Sequence, residues 1–187
     1  MKPEITFLPR DKYQGYILPI SYVSSEYYDV TVTKLEKGFL FQIEKKPLDY
    51  PFHYHPETMN YPDRLYLDYL DDAKAYGIII NDELIGAIET AVETWTNRLR
   101  ITELWVKEEY RRKGYGKALI EVAKARTIEE NYRALVLETQ SSNTNAIDFY
   151  LSQGFTLIGL DTCSYHNEDI KRKHVRLDFG WFPESKN

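Results

Sequence analysis

The stretch ELWVKEEYRRKGYGKAL, residues 103–119, decides the fold. An apolar segment ending at Val106 predicts a β-strand, a short basic loop follows, and a helical run begins at Lys117. Gly114 and Gly116 lack a Cβ, so the backbone can approach a ligand closely and adopt unusual φ angles. The N–H groups and dipole of a helix start favour an anion. Four basic side chains add positive charge: Arg111, Arg112, Lys113 and Lys117. The stretch predicts an anion cradle suited to a diphosphate, the alternative being a basic, solvated helix start that binds nothing.

Three kinds of phosphate loop compete for this stretch. A P-loop needs Gly-Lys-Ser/Thr, but Ala118 follows Gly116-Lys117 and the first glycine of the motif is missing. A dinucleotide fingerprint would place a small residue where Leu119 stands and a glycine at the tip of the strand. The third kind is the Arg-x-x-Gly-x-Gly loop of the GNAT acetyltransferases, which Arg111 to Gly116 match.

A second segment, LETQSSNTNAIDFYLSQGF at residues 137–155, resembles the second signature of the same family. The resemblance implies that two parallel strands, ending near Val106 and near Glu138, splay apart and hold the pantetheine arm of acetyl-CoA between them. It also implies that Asn143 helps to hold that arm and that Tyr150 lies near the thioester sulfur. The residues expected to bind the cosubstrate are Leu104, Trp105, Val106, Arg111, Arg112, Lys113, Gly114, Tyr115, Gly116, Lys117, Asn143 and Tyr150.

Three further stretches resemble the streptothricin and nourseothricin acetyltransferases within that family. They are the early hairpin at 27–48, the Trp95–Arg98 turn and the segment 155–165, and the likeness weakens through 47–72. Those enzymes carry an acidic stretch after the hairpin, where this chain is aromatic and rich in proline and has two histidines. They also carry an acidic pair where this chain has Thr102-Glu103. This resemblance implies resistance to an antibiotic by acetylation.

Composition limits the class of protein. The net charge of −5 argues against a nucleic-acid partner and suits a cationic substrate. No apolar run reaches the roughly 20 residues of a spanning helix, and the first residues show no secretory h-region, so we expect a cytoplasmic protein without a membrane partner. Cys163 is the single cysteine, which excludes an internal disulfide and predicts a buried structural thiol.

The length of 187 residues predicts one domain over residues 1–187, and strands interleaved with helices predict a mixed sheet of α/β (α+β) class. The family resemblance implies that this is a GNAT-like mixed central sheet, mostly antiparallel with a splayed parallel strand pair, flanked by helices. The proline-rich residues 47–64 predict a loop, with a short helix before Asp71-Asp72. The predicted strands are 75–80, 84–94, 100–106, 134–138, 155–160 and 173–181, with a hairpin at 27–46 and helices at 117–130 and 143–153.

The mechanism requires a base and an acid. An alkylammonium with a pKa of about 10.4 is uncharged in roughly one molecule per thousand at neutral pH, so a carboxylate must accept its proton. Glu103, on the strand that borders the thioester, is the first candidate, with a sheet-face salt bridge as the alternative. A backbone N–H between Leu104 and Val106 could bond the oxyanion. Tyr150 could protonate the departing thiolate, with a core aromatic role as the alternative.

Other polar residues are weaker candidates. His53 and His55 have i, i+2 spacing but no arranged partners, so we expect loop or substrate-pocket residues and no metal. His166 and His174 predict no role. Asp68, Asp71 and Asp72 could attract a cationic substrate or form a solvated turn. Asp161 could bind substrate or cap the turn at Thr162.

Three functions follow from the sequence. The first is N-acetylation of a primary amine on a small cationic molecule, such as a streptothricin-like antibiotic, by direct attack in a ternary complex. The second is acetylation of a protein N-terminus or lysine, and the third is a non-catalytic CoA-binding sensor. The chain is expected to be a monomer or a homodimer that pairs through edge strands.

Overall fold

The computed structural model describes residues 3–55, 62–70 and 72–184. Its strands are β1 (Thr6–Leu8), β2 (Tyr22–Leu35), β3 (Gly38–Tyr54), β4 (Lys74–Ile80), β5 (Glu83–Glu93), β6 (Arg98–Val106), β7 (Ala134–Gln140), β8 (Thr156–Asp161) and β9 (Arg176–Trp181). Its helices are α1 (Arg10–Tyr13), α2 (Tyr115–Glu129) and α3 (Thr144–Ser152), with short 3-10 turns at Thr94–Thr96 and Glu108–Tyr110.

The described strands confirm the predicted fold class. Seven of them form one mixed sheet, mostly antiparallel with a parallel pair, while β2 and β3 form a separate two-stranded ribbon. The chain clusters into two compact units. Unit 1 comprises residues 1–20, 56–137 and 181–187, and unit 2 comprises residues 21–55 and 138–180. The expectation of one domain over 1–187 stays a prediction.

Unit 1 places β1, β4, β5, β6 and the start of β7 side by side. The β4–β5 connection turns at Asn81 and Asp82, which both adopt positive φ (51° and 63°), as a two-residue hairpin requires. Helix α2 packs on β4, β5 and β6 and buries Leu119 and Ile120 completely. Gly86 permits this packing, since a Cβ there would lie 3.4 Å from Leu119 Cδ1 and 3.3 Å from the Trp105 carbonyl oxygen.

The parallel pair of unit 1 is short. Strands β6 and β7 are in register from Arg98–Ala134 to Arg100–Val136. Strand β6 continues to Val106, where its other edge still pairs with β5 at Gly86. The β7-facing edge of β6 beyond Arg100 therefore lies outside this ladder. This is the pattern expected where a strand turns away from its parallel neighbour, and its backbone groups then need other partners.

Unit 2 is built on the β2–β3 ribbon. Helix α3 contacts β2, with Ser24 Oγ 2.7 Å from Thr144 Oγ1, and Asn145 donates to the Val23 carbonyl oxygen. At the end of β7, the Ser141 N–H donates to the Val175 carbonyl oxygen (2.7 Å), and the Val175 N–H donates back to Ser141 Oγ (3.0 Å). Strands β8 and β9 pair antiparallel, as predicted.

Several predictions about local structure were wrong. Residues 47–54 continue β3 instead of forming a loop, because Pro47 lies opposite Glu26 at a bulge and a ribbon strand has an edge where proline costs no ladder bond. Residues 56–61 of the predicted loop, and Asp71, lie outside the described residues, and the described residues 62–70 contain no helix.

Other corrections concern starts of elements and exposure. Helix α2 begins at Tyr115, two residues before the predicted start, because Gly114 supplies the N-cap. The sequence pattern also missed β1 and α1. Cys163 is exposed rather than buried, and the hydrogen bond to Asp161 raises the pKa of its thiol.

Candidate active site

Two backbone conformations shape the loop between β6 and α2, residues 107–114, which we call the basic loop. Gly114 has φ +87° and Arg112 has φ +59°. Gly114 is the N-cap of α2 and has no side chain to occupy the orphan N–H groups of the first helical turn. Gly116 lies inside that turn, so the unusual φ expected from the sequence is confirmed for Gly114 and not for Gly116. The helix start is thus open to an anion.

The basic side chains of this loop and of the first turn of α2 divide into two sets. Arg111 Nε donates to the Val106 carbonyl oxygen (3.0 Å), which ties the loop back to the end of β6. Lys107 pairs with Glu83 and Glu109, at 2.5 and 2.8 Å, and these hydrogen bonds raise its pKa. Arg112, Lys113 and Lys117 are exposed around Gly114. The first set fixes the loop, and the second surrounds the helix start with positive charge.

Strand β6 carries Glu103, which is half-buried and lies opposite Glu89 of β5. The residues that follow, Leu104 to Val106, pair with Ile88, Ala87 and Gly86 on the β5 side. Their β7-facing edge lies beyond the last pair of the β6–β7 ladder, Arg100 with Val136.

Glu89 is a buried carboxylate that the sequence did not single out. Its side chain is 0% exposed, accepts the Thr102 hydroxyl (2.7 Å) and accepts the Tyr66 N–H (2.5 Å). Burial raises its pKa, against the hydrogen bonds from Thr102 and Tyr66 and the charge of Arg10. Glu89 lies beside the bulge between Glu89 and Thr90. It anchors the Tyr66 segment, while Glu103 is the carboxylate on β6 that meets solvent.

In unit 2, Asn143 and Tyr150 occupy the two ends of α3. Asn143 caps the helix, since its Oδ1 accepts the Ala146 N–H (3.3 Å). Tyr150 is 9% exposed, and its ring packs edge-on against Phe155 with centroids 5.9 Å apart and tilted on Phe149 at 5.6 Å. Asn143 thus has a structural role as a cap, and Tyr150 is held rigidly by aromatic packing.

Five rings form a continuous row in unit 2, which we call the ring row: Tyr54, Tyr22, Phe52, His174 and Tyr165. The centroid distances along it are 5.0, 6.0, 5.5 and 5.2 Å. Tyr22 is buried, while the others are half-buried or exposed. The row draws on β2, β3 and the segment between β8 and β9.

Ser142 connects the ring row to α3. Its hydroxyl lies 2.8 Å from His174 Nδ1 and 3.3 Å from the Tyr22 hydroxyl, and it immediately precedes Asn143. Burial lowers the pKa of His174, with the charge of Asp169 acting in the opposite direction. The imidazole is therefore uncharged at neutral pH.

A carboxylate lies at the Tyr165 end of the ring row. The Tyr165 hydroxyl donates to Glu138 Oε2 (3.0 Å), and Arg176 Nε lies 3.0 Å from the same oxygen. Burial, and then the charge of Glu138, raise the pKa of Tyr165, so its hydroxyl stays protonated. Glu138 holds the outermost ring in place.

A comparison with known families decides the affiliation. The model of the Acetyltransferase (GNAT) family matches residues 39–155, more than half of the chain. The chain belongs to the GNAT acetyltransferase family.

Individual relatives of this GNAT chain agree with the predicted resemblance. Streptothricin acetyltransferase from Escherichia coli is 33% identical over 112 residues, which cover 60% of this chain and 64% of the relative. Streptothricin acetyltransferase A from Bacillus subtilis is 32% identical over 93 residues, covering 50% of this chain and 53% of the relative. The chain thus aligns with between about half and two thirds of the length of these curated relatives.

Solved structures extend the likeness over nearly the whole GNAT chain. The crystal structure of nourseothricin acetyltransferase has a TM-score of 0.77 at 25% identity and covers 97% of this chain and 99% of its own. A structure from Bacillus anthracis, solved in complex with acetyl coenzyme A, has a TM-score of 0.75 at 22% identity and covers 98% of this chain. The predicted fold and family resemblance are confirmed.

The remaining candidates of this GNAT chain are structural or isolated. His53 lies on β3 rather than in a loop, and the described residues hold no group of three potential metal ligands. Asp161 caps a turn by accepting the Cys163 N–H (2.9 Å), which confirms the turn alternative. Asp72 accepts the Val92 N–H (2.9 Å).

Among the described residues, none of the helices has the length and apolar character that crossing a membrane requires.

The contacts of His174 with Ser142, Phe52 and Tyr165 were not predicted, and whether His174 has a functional role stays untested. A lone histidine near a hairpin carries no sequence signal. The nearest hint was the aromatic alternation of Phe52 and Tyr54 on β3.

Proposed function

We propose that the chain is an acetyl-CoA-dependent N-acetyltransferase that acetylates a primary amine of a small cationic molecule. The observation that carries the proposal is that β6 leads through the basic loop into α2. Beyond Arg100, the β7-facing edge of β6 is outside the β6–β7 ladder, and Gly114 leaves the start of α2 open to an anion. Acetyl-CoA combines an extended amide arm with a diphosphate, and these two features fit its two parts.

Within this proposal, the basic loop and the first turn of α2 bind the diphosphate. The exposed Arg112, Lys113 and Lys117 supply charge, while the N–H groups at Tyr115, Gly116 and Lys117 supply hydrogen bonds. Arg111 acts by holding the loop against Val106. The backbone of Leu104, Trp105 and Val106, together with Asn143, binds the pantetheine arm.

Transfer proceeds by direct attack of the amine on the thioester carbonyl in a ternary complex. Glu103 accepts the proton that the ammonium must lose, because a half-buried carboxylate on β6 can reach solvent and substrate whereas Glu89 is enclosed. The N–C bond forms, and a backbone N–H between Leu104 and Val106 stabilises the oxyanion.

The attacking nitrogen is cationic in the tetrahedral intermediate, and it loses this second proton to solvent. Collapse then re-forms the carbonyl and breaks the C–S bond. The Tyr150 hydroxyl then donates its proton to the leaving thiolate and later recovers a proton from solvent. The packing of Tyr150 against Phe149 and Phe155 supports this role, since a donor acts best from a fixed position.

The acceptor class rests on the relatives and on charge. Two curated relatives are named streptothricin acetyltransferases, and the net charge of −5 favours a cation. A streptothricin-like antibiotic is therefore the first acceptor to test, with antibiotic resistance as the consequence. The chain acts in this proposal as a cytoplasmic monomer or homodimer.

The test is release of the free CoA thiol from acetyl-CoA with a panel of streptothricin, aminoglycosides, polyamines and short peptides. We expect turnover of a cationic small molecule and a loss of roughly 10²-fold or more in kcat for Tyr150→Phe. The control Tyr69→Phe removes the hydroxyl of a tyrosine that is 77% exposed and should leave kcat unchanged. Turnover of peptides alone would replace the small-molecule acceptor with a protein, and binding of acetyl-CoA without any turnover would favour a sensor.

A further inference from the structure

The ring row is built more like a binding surface than like a core. Phe52, Tyr54 and His174 are only half-buried and Tyr165 is 40% exposed, so four of the five residues keep some contact with solvent. A core cluster of five rings would be closed on all sides. Fixed rings that remain accessible are typical of a site that receives a ligand.

Polar contacts fix the orientation of the rings. The Ser142 hydroxyl reaches both the Tyr22 hydroxyl and His174 Nδ1, and Glu138 accepts the Tyr165 hydroxyl. Ser142 is itself only 1% exposed, so these contacts do not compete with bulk water. The row is therefore organised before a ligand arrives, which reduces the entropy lost on binding.

Chain connectivity places the row next to α3. Ser142 is the residue before Asn143, the N-cap of the helix that carries Tyr150. Tyr22 and His174 both contact Ser142, so a ligand that lies on either ring is near the residue that precedes Asn143, which the proposed function assigns to the pantetheine arm.

The chemistry of the row favours a cation. Aromatic faces carry negative potential and attract ammonium and guanidinium groups. His174 adds no positive charge at neutral pH, and Arg176 is paired with both Glu138 and Asp178. Among the described residues, Asp169 and Arg172 act on His174 with opposite charges, so together they leave no net positive charge beside this ring.

The cation on the row cannot be the amine that reacts. Attack on the thioester requires the uncharged amine, and a site that stabilises its ammonium form would oppose deprotonation. The row can raise the affinity for an acceptor without this conflict only if it holds a different group of the same molecule.

We propose that the ring row holds a second, non-reacting cationic group of the acceptor, so that the preferred substrates carry at least two cationic groups. This proposal rests on the proposed function for its setting. The binding step itself is independent of turnover and can be measured without it.

The first experiment uses choline as the probe, with 3,3-dimethylbutan-1-ol as its uncharged isostere. Binding to the wild-type protein is followed by NMR titration in the presence of CoA. We expect choline to bind more tightly than the isostere, and Phe52→Leu to weaken choline binding roughly fivefold. Tyr50→Ala is the matched control, because Tyr50 lies on the same strand but is 84% exposed and outside the row.

The second experiment measures kinetics with 1,5-diaminopentane and pentylamine as acceptors. Phe52→Leu should raise KM for the diamine roughly fivefold with kcat within about twofold, since the row acts in binding and not in chemistry. KM for acetyl-CoA should not change. Tyr165→Leu, at an exposed ring, gives the same test if Phe52→Leu does not fold.

Three results would overturn the proposal: wild-type protein that binds the isostere as well as choline, variants of the row that bind choline normally, or a row variant that lowers kcat at unchanged KM. Failure of the proposed function has a different signature. In that case no amine turns over, while the choline titration still reports on the row.

Discussion

The basic loop of unit 1 and the ring row of unit 2 are built differently by the chain, and the binding roles that we propose for them differ accordingly. The loop is one continuous stretch after β6, and its main device is backbone: a positive φ at Gly114 and the free N–H groups of a helix start. The ring row is assembled from side chains that lie up to 152 residues apart in sequence, from Tyr22 to His174. A local backbone device suits a cosubstrate shared across a family, while a long-range set of side chains can change with the acceptor.

The largest expected effect comes from Glu103. This residue lies in neither the basic loop nor the ring row, so a variant tests a chemical role separately from the two proposed binding roles. We expect Glu103→Gln to lower kcat/KM roughly 10²-fold at pH 7, because the amide cannot accept the proton of the ammonium. The loss should shrink as pH rises toward the pKa of the free amine, about 10.4, since the substrate then arrives uncharged. Initial rates between pH 7 and 10 measure this.

The control for Glu103 is the exposed Glu129 in the last turn of α2, whose Gln variant should behave as wild type. A Glu103→Gln enzyme with the wild-type rate and pH profile would transfer the role of base to another group.

The next prediction concerns stability and distinguishes Glu89 from Glu103, which lies opposite it on β6. Glu89→Leu leaves the buried Tyr66 N–H without its acceptor, so we expect a loss of about 1–3 kcal/mol in the free energy of unfolding. Glu89→Gln should cost far less, because its amide oxygen can accept from Tyr66 while the Thr102 hydroxyl turns to accept from its NH₂ group. Urea unfolding compares the two variants.

The pH dependence has a definite sign. Burial raises the pKa of Glu89 above its ordinary 4.5, so the folded state binds more protons than the unfolded state. The wild-type protein should lose stability as pH rises from about 4.5 through that raised pKa, and Glu89→Gln should lose this slope. A slope that persists in the variant would assign it to other groups.

Much of the fold and of the loop could be predicted because their signals are local. The alternation around Asn81-Asp82, the glycines at 114 and 154 and the cap at Asn143 each determine structure within a few residues. The α2 start was misplaced by two residues because a glycine was assigned to the loop rather than to the first helical turn.

The rest depends on long-range contacts that no local pattern encodes. Strand β3 passes through Pro47 and Pro51 because a bulge opposite Glu26 absorbs the irregularity, and only the paired strand shows this. Glu89 is buried because Tyr66 and Thr102 supply its donors. His174 gains its neighbours from Phe52 and Tyr165, so sequence alone could not separate it from His166.

A smaller effect tests whether the basic loop needs its backbone conformation. Gly114→Ala places a side chain at φ +87°, which costs about 1–2 kcal/mol, and we expect KM for acetyl-CoA to rise roughly tenfold. Gly15→Ala is the matched control, since Gly15 has φ +75° and an added Cβ there, as at Gly114, meets nothing within 4 Å. Both variants should lose similar stability, and only Gly114→Ala should affect acetyl-CoA. Equal KM values in the two variants would show that the loop binds through its charges alone.

The smallest effect uses pH to change the ring row while leaving the basic loop unaltered. Burial lowers the pKa of His174 below its ordinary 6.5, so the ring is neutral at pH 7 and becomes cationic as pH falls through that lowered value. The groups that act on it are Asp169, which opposes the shift, and Arg172, which adds to it. Tyr165 and Glu138 border the same ring, with the Tyr165 hydroxyl protonated throughout.

An imidazolium in the row would repel the second cation of a diamine. KM for 1,5-diaminopentane should therefore rise several-fold between pH 7 and 5, while KM for pentylamine, which has no second cation, should change less. His174→Gln keeps a hydrogen-bonding partner for Ser142 but cannot become charged, so the difference between the two acceptors should become independent of pH. If KM for the diamine keeps its pH dependence in His174→Gln, the charge that governs acceptor binding lies on another group. The proposed ring site for the acceptor would then be wrong, whereas the proposed backbone site for acetyl-CoA would be unaffected.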